Sequence, residues 1–355
     1  MKPFLGRFYI PLILLFAPIF ALGVVTLYSV APLTISSQIQ AFFIGLLGLI
    51  IFSAFDYRLL KNFYKPIYLA GLLLLFFTYL FGKIVYGSAR WLEIGGFTFQ
   101  TSEMAKLTLI IFLAGILSKE PKFLKQPKYT LFLFILIIAY LVLVLLQPDL
   151  GTTIIVFSAA TGILLLAGLN KLYVFLAFTI AGIFSTPLWN LLHDYQQKRI
   201  LIFLNPLLDT QGAGYNVIQS KIAIGAGQFF GQGIGRGMQS HLQYLPAYWT
   251  DFIFASFAEE WGFIGVVFLF ALFLGFLISI LYLMSKTQDT FGFLLAGGIF
   301  SIFFAQFFIN TGMNLGVMPV TGIPLPFMSY GGTSLVISMC MLGLLQSIWV
   351  HRKIS

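Results

Sequence analysis

The stretch Tyr248-Trp249-Thr250-Asp251-Phe252-Ile253-Phe254-Ala255-Ser256-Phe257-Ala258-Glu259-Glu260-Trp261-Gly262 sets three acids at the head of an apolar run that continues to Leu283. Trp261 to Leu283 alone is long enough to cross a bilayer, which takes about 20 apolar residues. Read as a helix, the stretch puts Asp251, Ala255, Glu259 and Gly262 on one face, because residues three or four apart are neighbours, and turns Glu260 away. Asp251 is then expected at or above the membrane surface, looking along a track of small residues, with Glu259 below it as support and Glu260 structural.

Working outward, only 9% of the chain is charged, against about 25% in soluble domains, and 59% is hydrophobic, so the chain reads as an all-α polytopic membrane protein. A net charge of +9 argues for nucleic acid only when the basic residues cluster on one face, and here they are scattered between apolar runs. The single cysteine, Cys340, excludes an intrachain disulfide and a thiolate metal cluster. His193, His241 and His351 lack metal-ligand spacing, and no nucleophile elbow supports a Ser-His-Asp hydrolase. The first apolar run, 8–30, exceeds the roughly 7–15 residues of a signal-peptide core and is expected to be retained.

Runs of spanning length fall at 8–30, 38–55, 66–86, 102–118, 130–147, 151–168, 172–192, 252–283, 291–313 and 331–350, which makes ten transmembrane helices. With the N-terminus in the cytoplasm both termini lie inside, and thirteen of the twenty basic residues fall on cytoplasmic segments, as the positive-inside rule requires. Eight of the eleven acids fall on the other side. The chain, 1–355, is one transmembrane domain whose only large extracytoplasmic loop, about 193–250, joins helices seven and eight. Within that loop the glycine-rich 224–237 reads as flexible or re-entrant; it could cradle a pyrophosphate on its N–H groups with Arg236 adding charge, but it has neither a Rossmann nor a P-loop context.

Three other constellations carry charge or broken backbone. Arg90 to Lys106 covers the first outer loop and the start of the fourth helix: Thr101 or Ser102 is expected to cap it, Glu103 suits the helix dipole, and Lys106 shares the face of Glu103. That pair reads either as a plain ion pair or as the lining of a polar cavity for a substrate headgroup. Gln147-Pro148-Asp149-Leu150-Gly151-Thr152-Thr153 is a tight turn in which Asp149 can cap the sixth helix or pair with Lys106 or a loop arginine. Asn310 to Ser334 holds three closely spaced prolines, Thr321, Ser329 and Tyr330, and no charge. Its backbone cannot be continuous helix, and irregular backbone at membrane depth persists only when buried or lining a cavity.

These motifs, with Trp91-Leu92-Glu93-Ile94-Gly95-Gly96, Trp249-Thr250-Asp251-Phe252 and Pro319 to Ser334, resemble the SEDS family of RodA, FtsW and SpoVE over the whole chain. Thr101 departs from the family pattern, which usually has proline there. The resemblance implies a peptidoglycan glycosyltransferase of the bacterial cytoplasmic membrane. It would polymerise lipid II, an undecaprenyl-linked disaccharide peptide, at the outer face, in complex with a class B penicillin-binding protein and other elongation-complex membrane proteins. It also implies that Asp251 is the catalytic acid and that Glu103, Lys106 and Asp149 are functionally sensitive. The short ends look more like the elongation member, RodA, than the division member.

Such chemistry sends a sugar 4-hydroxyl onto an anomeric carbon that carries a pyrophosphate. A carboxylate that takes the hydroxyl proton, the role expected of Asp251, contributes about 10²–10⁴-fold. One base without a second nucleophilic carboxylate suits direct displacement with inversion. Cations for the leaving pyrophosphate are drawn from Arg90, Lys106, Lys198, Arg199, Lys221 and Arg236; whether a divalent cation such as Mg or Mn bridges Asp251 and the pyrophosphate is left open. A lipid flippase, which should carry midplane charges and inverted halves, and a non-catalytic scaffold of the elongation or division complex are the rival readings.

Overall fold

The computed structural model describes residues 8–352 apart from 86–87, 95–96, 121, 174, 176–178, 180–181, 183–188, 190–193 and 210–211. Eight helices are long and apolar enough to cross a membrane: α1 (Ile10–Val30), α2 (Ile35–Ala54, entered through the 3₁₀ turn Pro32–Thr34), α3 (Tyr64–Phe81), α4 (Thr101–Lys119), α6 (Pro127–Leu146), α11 (Ile253–Ser285), α12 (Thr290–Leu315) and α13 (Gly332–Val350). A ninth, α7 (Leu150–Leu166), is apolar but shorter. Nine of the ten expected spans thus fall on helices, and most of the tenth, 172–192, lies outside the described residues. The short α5 (Lys122–Lys125) joins α4 to α6, while α8 (Asp194–Leu204), α9 (Ala213–Ala226) and α10 (Met238–His241) precede α11.

The central helices are those with most of their spanning window buried. In α4 83% of the spanning window is buried at a hydropathy of 1.5, whereas α6, at 2.9, buries 28% and gives the rest of its Leu and Phe surface to the periphery. α12 and α13 are the other two well-buried spans, at 67% and 78%. Local signals set the ends: Pro127 opens α6, Asp289 caps α12 through Gly292 N–H at 2.9 Å, and Gly316, at φ 71°, closes it in the left-handed region.

The expectation of an all-α chain is corrected between α3 and α4. Three antiparallel strands, β1 (Lys83–Val85), β2 (Ser88–Ile94) and β3 (Phe97–Gln100), form a small sheet in the order β1-β2-β3, with Trp91 opposite Gln100 and Ile94 opposite Phe97. β3 alternates Phe97, Thr98 and Phe99, and Gly95-Gly96 lies between β2 and β3 in the sequence, a dipeptide that two-residue hairpins favour.

The glycine-rich segment, read from the sequence as flexible or re-entrant, is hydrogen-bonded along α11. Residues 227–237 form a strap along α11 at the point where that helix breaks. Gly262 has φ 65° and ψ −167°, so α11 is two helices, and the second starts with Phe263 and Ile264 N–H donating to Gln228 O (2.9 Å) and Phe229 O (3.2 Å). In return Gln232 and Gly233 N–H donate to Glu259 O and Glu260 O at 2.9 and 3.1 Å. A Cβ on Gly262 would lie 2.2 Å from Gly231 N, so backbone touches backbone here.

At the opposite end of the bundle, Arg58 donates to His351 O at 2.6 Å, Lys286 lies over the Tyr282 ring at 5.5 Å, and Tyr9 packs 4.3 Å from Trp349. Basic residues on Tyr and Trp rings are the pattern of a membrane–water interface.

Candidate active site

The helix that the sequence suggests through Asp251 begins only at Ile253. Ala255 N–H, which a regular helix would give to Asp251 O, is shared instead between Phe252 O at 3.0 Å and Asn314 Oδ1 at 3.2 Å. Asp251 O is taken by two side chains of α12, Asn310 Nδ2 at 2.9 Å and Asn314 Nδ2 at 3.0 Å. The preceding residues are tied to the proline-rich segment after α12: Ser329 Oγ donates to Thr250 O at 2.7 Å, and Tyr330 N–H to Trp249 O at 2.9 Å. Ser329 Oγ also accepts from Leu325 N–H at 2.8 Å, and Gln38 of α2 donates to Ser329 O at 3.2 Å. Asp251 therefore sits in a turn held from two sides, ahead of the helix rather than on its face.

Its carboxyl is half-buried and lies beside Gly322, where a Cβ would come 3.5 Å from Asp251 Oδ2. Gly322 has φ 74°, which glycine adopts without strain. Burial pushes the Asp251 carboxyl up to about 6 from 3.8; Arg199 and then Arg90 pull it back, and Asp149 adds to the rise. Four expected site residues, contributed by β2, the turn before α7, α8 and the turn before α11, thus share one electrostatic neighbourhood.

Asp149 has the capping role read from its turn, accepting from Thr152 N–H at 3.1 Å, and it also gathers the start of α4, accepting from Ser102 Oγ at 2.9 Å and Gln100 Nε2 at 3.1 Å. The cap expected from Thr101 or Ser102 is absent, since Gln100 is the N-cap and the Ser102 hydroxyl is engaged by Asp149. Arg90 is the loop arginine: Nε donates to Gln147 O at 3.0 Å, Nη2 donates to Pro148 O, and Nη1 lies 3.8 Å from Asp149 Oδ1. Below them Lys106 Nζ and Glu103 Oε2 form an ion pair at 2.7 Å, both side chains 3% exposed or less, so the pair is sealed into the bundle.

Glu259 is not brought to Asp251. Its carboxylate accepts from Gln239 N–H (2.8 Å), Ser240 N–H (3.2 Å) and Ser240 Oγ (2.8 Å) at the start of α10, and so anchors the strap. Glu260 has the structural role expected of it, accepting from Ser29 Oγ and from Gly235 N–H at 3.1 Å. Lys198, Lys221 and Arg236 are exposed: Lys221 lies over Gly316, Arg236 lies on the strap, and Arg199 lines a small cleft with Val217, Gly316 and Val320. Thr321 is buried, its hydroxyl 3.9 Å from Met313 Sδ. His193 lies outside the described residues. Among the described residues no group of three or more His, Cys, Asp or Glu side chains is arranged to hold a metal ion.

Sequence reasoning missed Asn310 and Asn314. The signal was present: two carboxamides one turn apart at the end of an apolar span, where a buried polar group needs a partner.

A bundle of apolar helices with an acid, two arginines and a second acid gathered at one end defines a membrane protein with a polar site at its surface. The chain belongs to the FtsW/RodA/SpoVE family of cell cycle proteins, whose model matches residues 7–354. It is 39% identical to the peptidoglycan glycosyltransferase MrdB of Escherichia coli strain K12 over 312 residues, 87% of this chain and 84% of the relative. It is 33% identical to the peptidoglycan glycosyltransferase RodA of Treponema pallidum, with 86% and 87% covered. Its fold matches a chain from a structure described as a peptidoglycan synthase complex that coordinates polymerization and crosslinking, at TM-score 0.83 and 32% identity over 96% of this chain and 97% of the other. It also matches the rod shape determining protein RodA of Thermus thermophilus, at TM-score 0.75 and 28% identity, with 98% of each chain covered.

Proposed function

We propose that Asp251 is the general base that takes the proton of the acceptor 4-hydroxyl while the lipid pyrophosphate leaves the donor sugar. The chain is a RodA-like peptidoglycan glycosyltransferase. The finer reading is that it polymerises lipid II at the outer surface of the cytoplasmic membrane, through ten spans with both termini inside, beside a class B penicillin-binding protein. The likeness to a peptidoglycan synthase complex supports the partner, and the basic, Tyr- and Trp-rich opposite end supports the orientation.

The observation that carries the base assignment is the half-buried Asp251 carboxyl, raised to about 6 with two arginines in its field. A base near neutrality is ionised at working pH yet still holds a proton usefully. Arg199 and Arg90 are the cations placed to meet negative charge developing on a leaving pyrophosphate. The lipid tails stay in the bilayer, so a site at the membrane surface needs no extraction of substrate.

The test is polymerisation of labelled lipid II by the purified chain with its partner, comparing wild type with Asp251→Asn. Loss of glycan synthesis by a folded variant is expected, with a wild-type kcat/KM that falls as pH drops through about 6, where Asp251 takes up its proton. Unchanged synthesis by the variant would sink the assignment.

A further inference from the structure

We propose that Asn310 and Asn314 are positioning residues that hold Asp251 outside the helix it precedes and so aim its carboxyl past Gly322. The inference rests on Asp251 being the reacting carboxylate and goes beyond it, because neither asparagine is assigned a role by that reading.

Both side chains are fully buried, and almost every polar atom of theirs is committed. Asn310 Nδ2 has two hydrogens and two carbonyls within reach, Asp251 O at 2.9 Å and Ile323 O at 2.7 Å. One amide thus joins the turn before α11 to the residue after Gly322, the two backbones that flank the carboxyl. Asn314 works differently. Its Oδ1 accepts from Ala255 N–H at 3.2 Å and its Nδ2 donates to Asp251 O at 3.0 Å, so a carboxamide stands where a regular helix would bond Ala255 N–H directly to Asp251 O. Its second hydrogen is held by Asn310 O, one turn back, at 2.8 Å.

The sequence around Asp251 is otherwise willing to be helical: Phe252 to Trp261 contains no glycine or proline. A helix extended back over Asp251 would rotate its side chain onto the Ala255 face and away from Gly322. The inserted carboxamide prevents that extension. The expense of desolvating two amides inside an apolar bundle is offset only where they meet backbone groups that lack partners, and Asp251 O is such a group.

The test measures kcat, KM and the acid limb of kcat/KM for lipid II polymerisation by the purified chain with its partner. It compares wild type, Asp251→Asn, Asn310→Leu, Asn314→Leu, Asn314→Asp and Gln346→Leu. Asn314→Asp keeps the shape and the acceptor for Ala255 N–H but has no donor for Asp251 O, and it stands in if the leucine variant does not fold. Gln346→Leu removes an equally buried amide at the far end of the bundle, where it bridges Tyr9 N–H and O. A misplacement of about 1 Å costs on the order of 10²-fold, so the asparagine variants are expected to lose about 10- to 100-fold in kcat. KM should stay within about twofold, because neither group meets substrate, and the acid limb should move from its wild-type position. Gln346→Leu should keep wild-type kcat and limb. Folded asparagine variants with wild-type kcat and limb, beside an inactive Asp251→Asn, would overturn the inference and leave the base assignment standing. An equal loss in Gln346→Leu would overturn it too, as a general effect of core damage. Full activity in Asp251→Asn would remove the base reading and this inference with it.

Discussion

Asp251 carries its charge at a cost to the fold. Its carboxyl titrates near 6 in the folded chain against 3.8 in an exposed one, so protonation favours the folded state, and stability falls as pH rises through that window. Asp251→Asn is therefore expected to unfold at a higher temperature than wild type in detergent at neutral pH. That advantage should shrink as pH falls from 6 and vanish near 4; a gap that does not close would contradict the buried-carboxyl account. The ion pair of Glu103 and Lys106 is buried as a pair. Removing one partner leaves a buried charge uncompensated, at about 3–5 kcal/mol, so Lys106→Met alone should lower the unfolding midpoint strongly and the double variant Glu103→Gln/Lys106→Met should recover much of the loss. Asp149, Arg90, Glu103 and Lys106 were legible in the sequence because a charge in an apolar chain always asks for a partner. Asn310 and Asn314 gave a weaker signal, two amides one turn apart in an apolar span, because an amide beside prolines and glycines also reads as loop chemistry. Their partner is also a main-chain carbonyl about 60 residues away, and a carbonyl has no letter in a sequence.

Among the elements, the strap and the broken α11 depend on each other. Gly262→Ala puts a side chain at a positive φ and a Cβ 2.2 Å from Gly231 N, so it should cost at least about 2 kcal/mol. The expected readout is a lower unfolding midpoint with limited proteolysis gained within 227–237; unchanged values for both would show that the strap does not need this contact. The acids Glu259 and Glu260 were visible as anomalies, but periodicity assigned Glu259 to the wrong partner because it assumes a helix that runs back through Asp251. Asp251 precedes Ile253, where the helix begins, so the helical period that fixes Glu259 and Glu260 does not fix the direction of Asp251. The small sheet was hidden for a related reason: three strands of three, seven and four residues lie below the length at which alternation stands out from a loop.

For the whole molecule the apolar runs carried nearly all of the architecture, since length and hydropathy alone mark a spanning helix. The orientation read from basic residues is testable on the chain as it stands, because its one cysteine, Cys340, is buried. Lys198→Cys and Lys286→Cys place single exposed thiols at the two ends. In spheroplasts an impermeant maleimide is expected to label the first and spare the second until the membrane is opened; labelling of both, or the reverse order, would refute ten spans with cytoplasmic termini. The break at Gly262 also sets how this protein responds to the membrane around it. Unbroken, the 33 residues of α11 would measure about 50 Å, some 20 Å beyond the hydrocarbon layer, and would have to tilt with every change in bilayer thickness. Divided, its longer half of about 23 residues can match the lipid while the upper half, strapped to residues 227–237 and clamped to α12, keeps its own height. Hydrophobic mismatch is absorbed below the acid, and lipid composition should change the tilt of the lower half without moving Asp251 relative to Arg90 and Arg199.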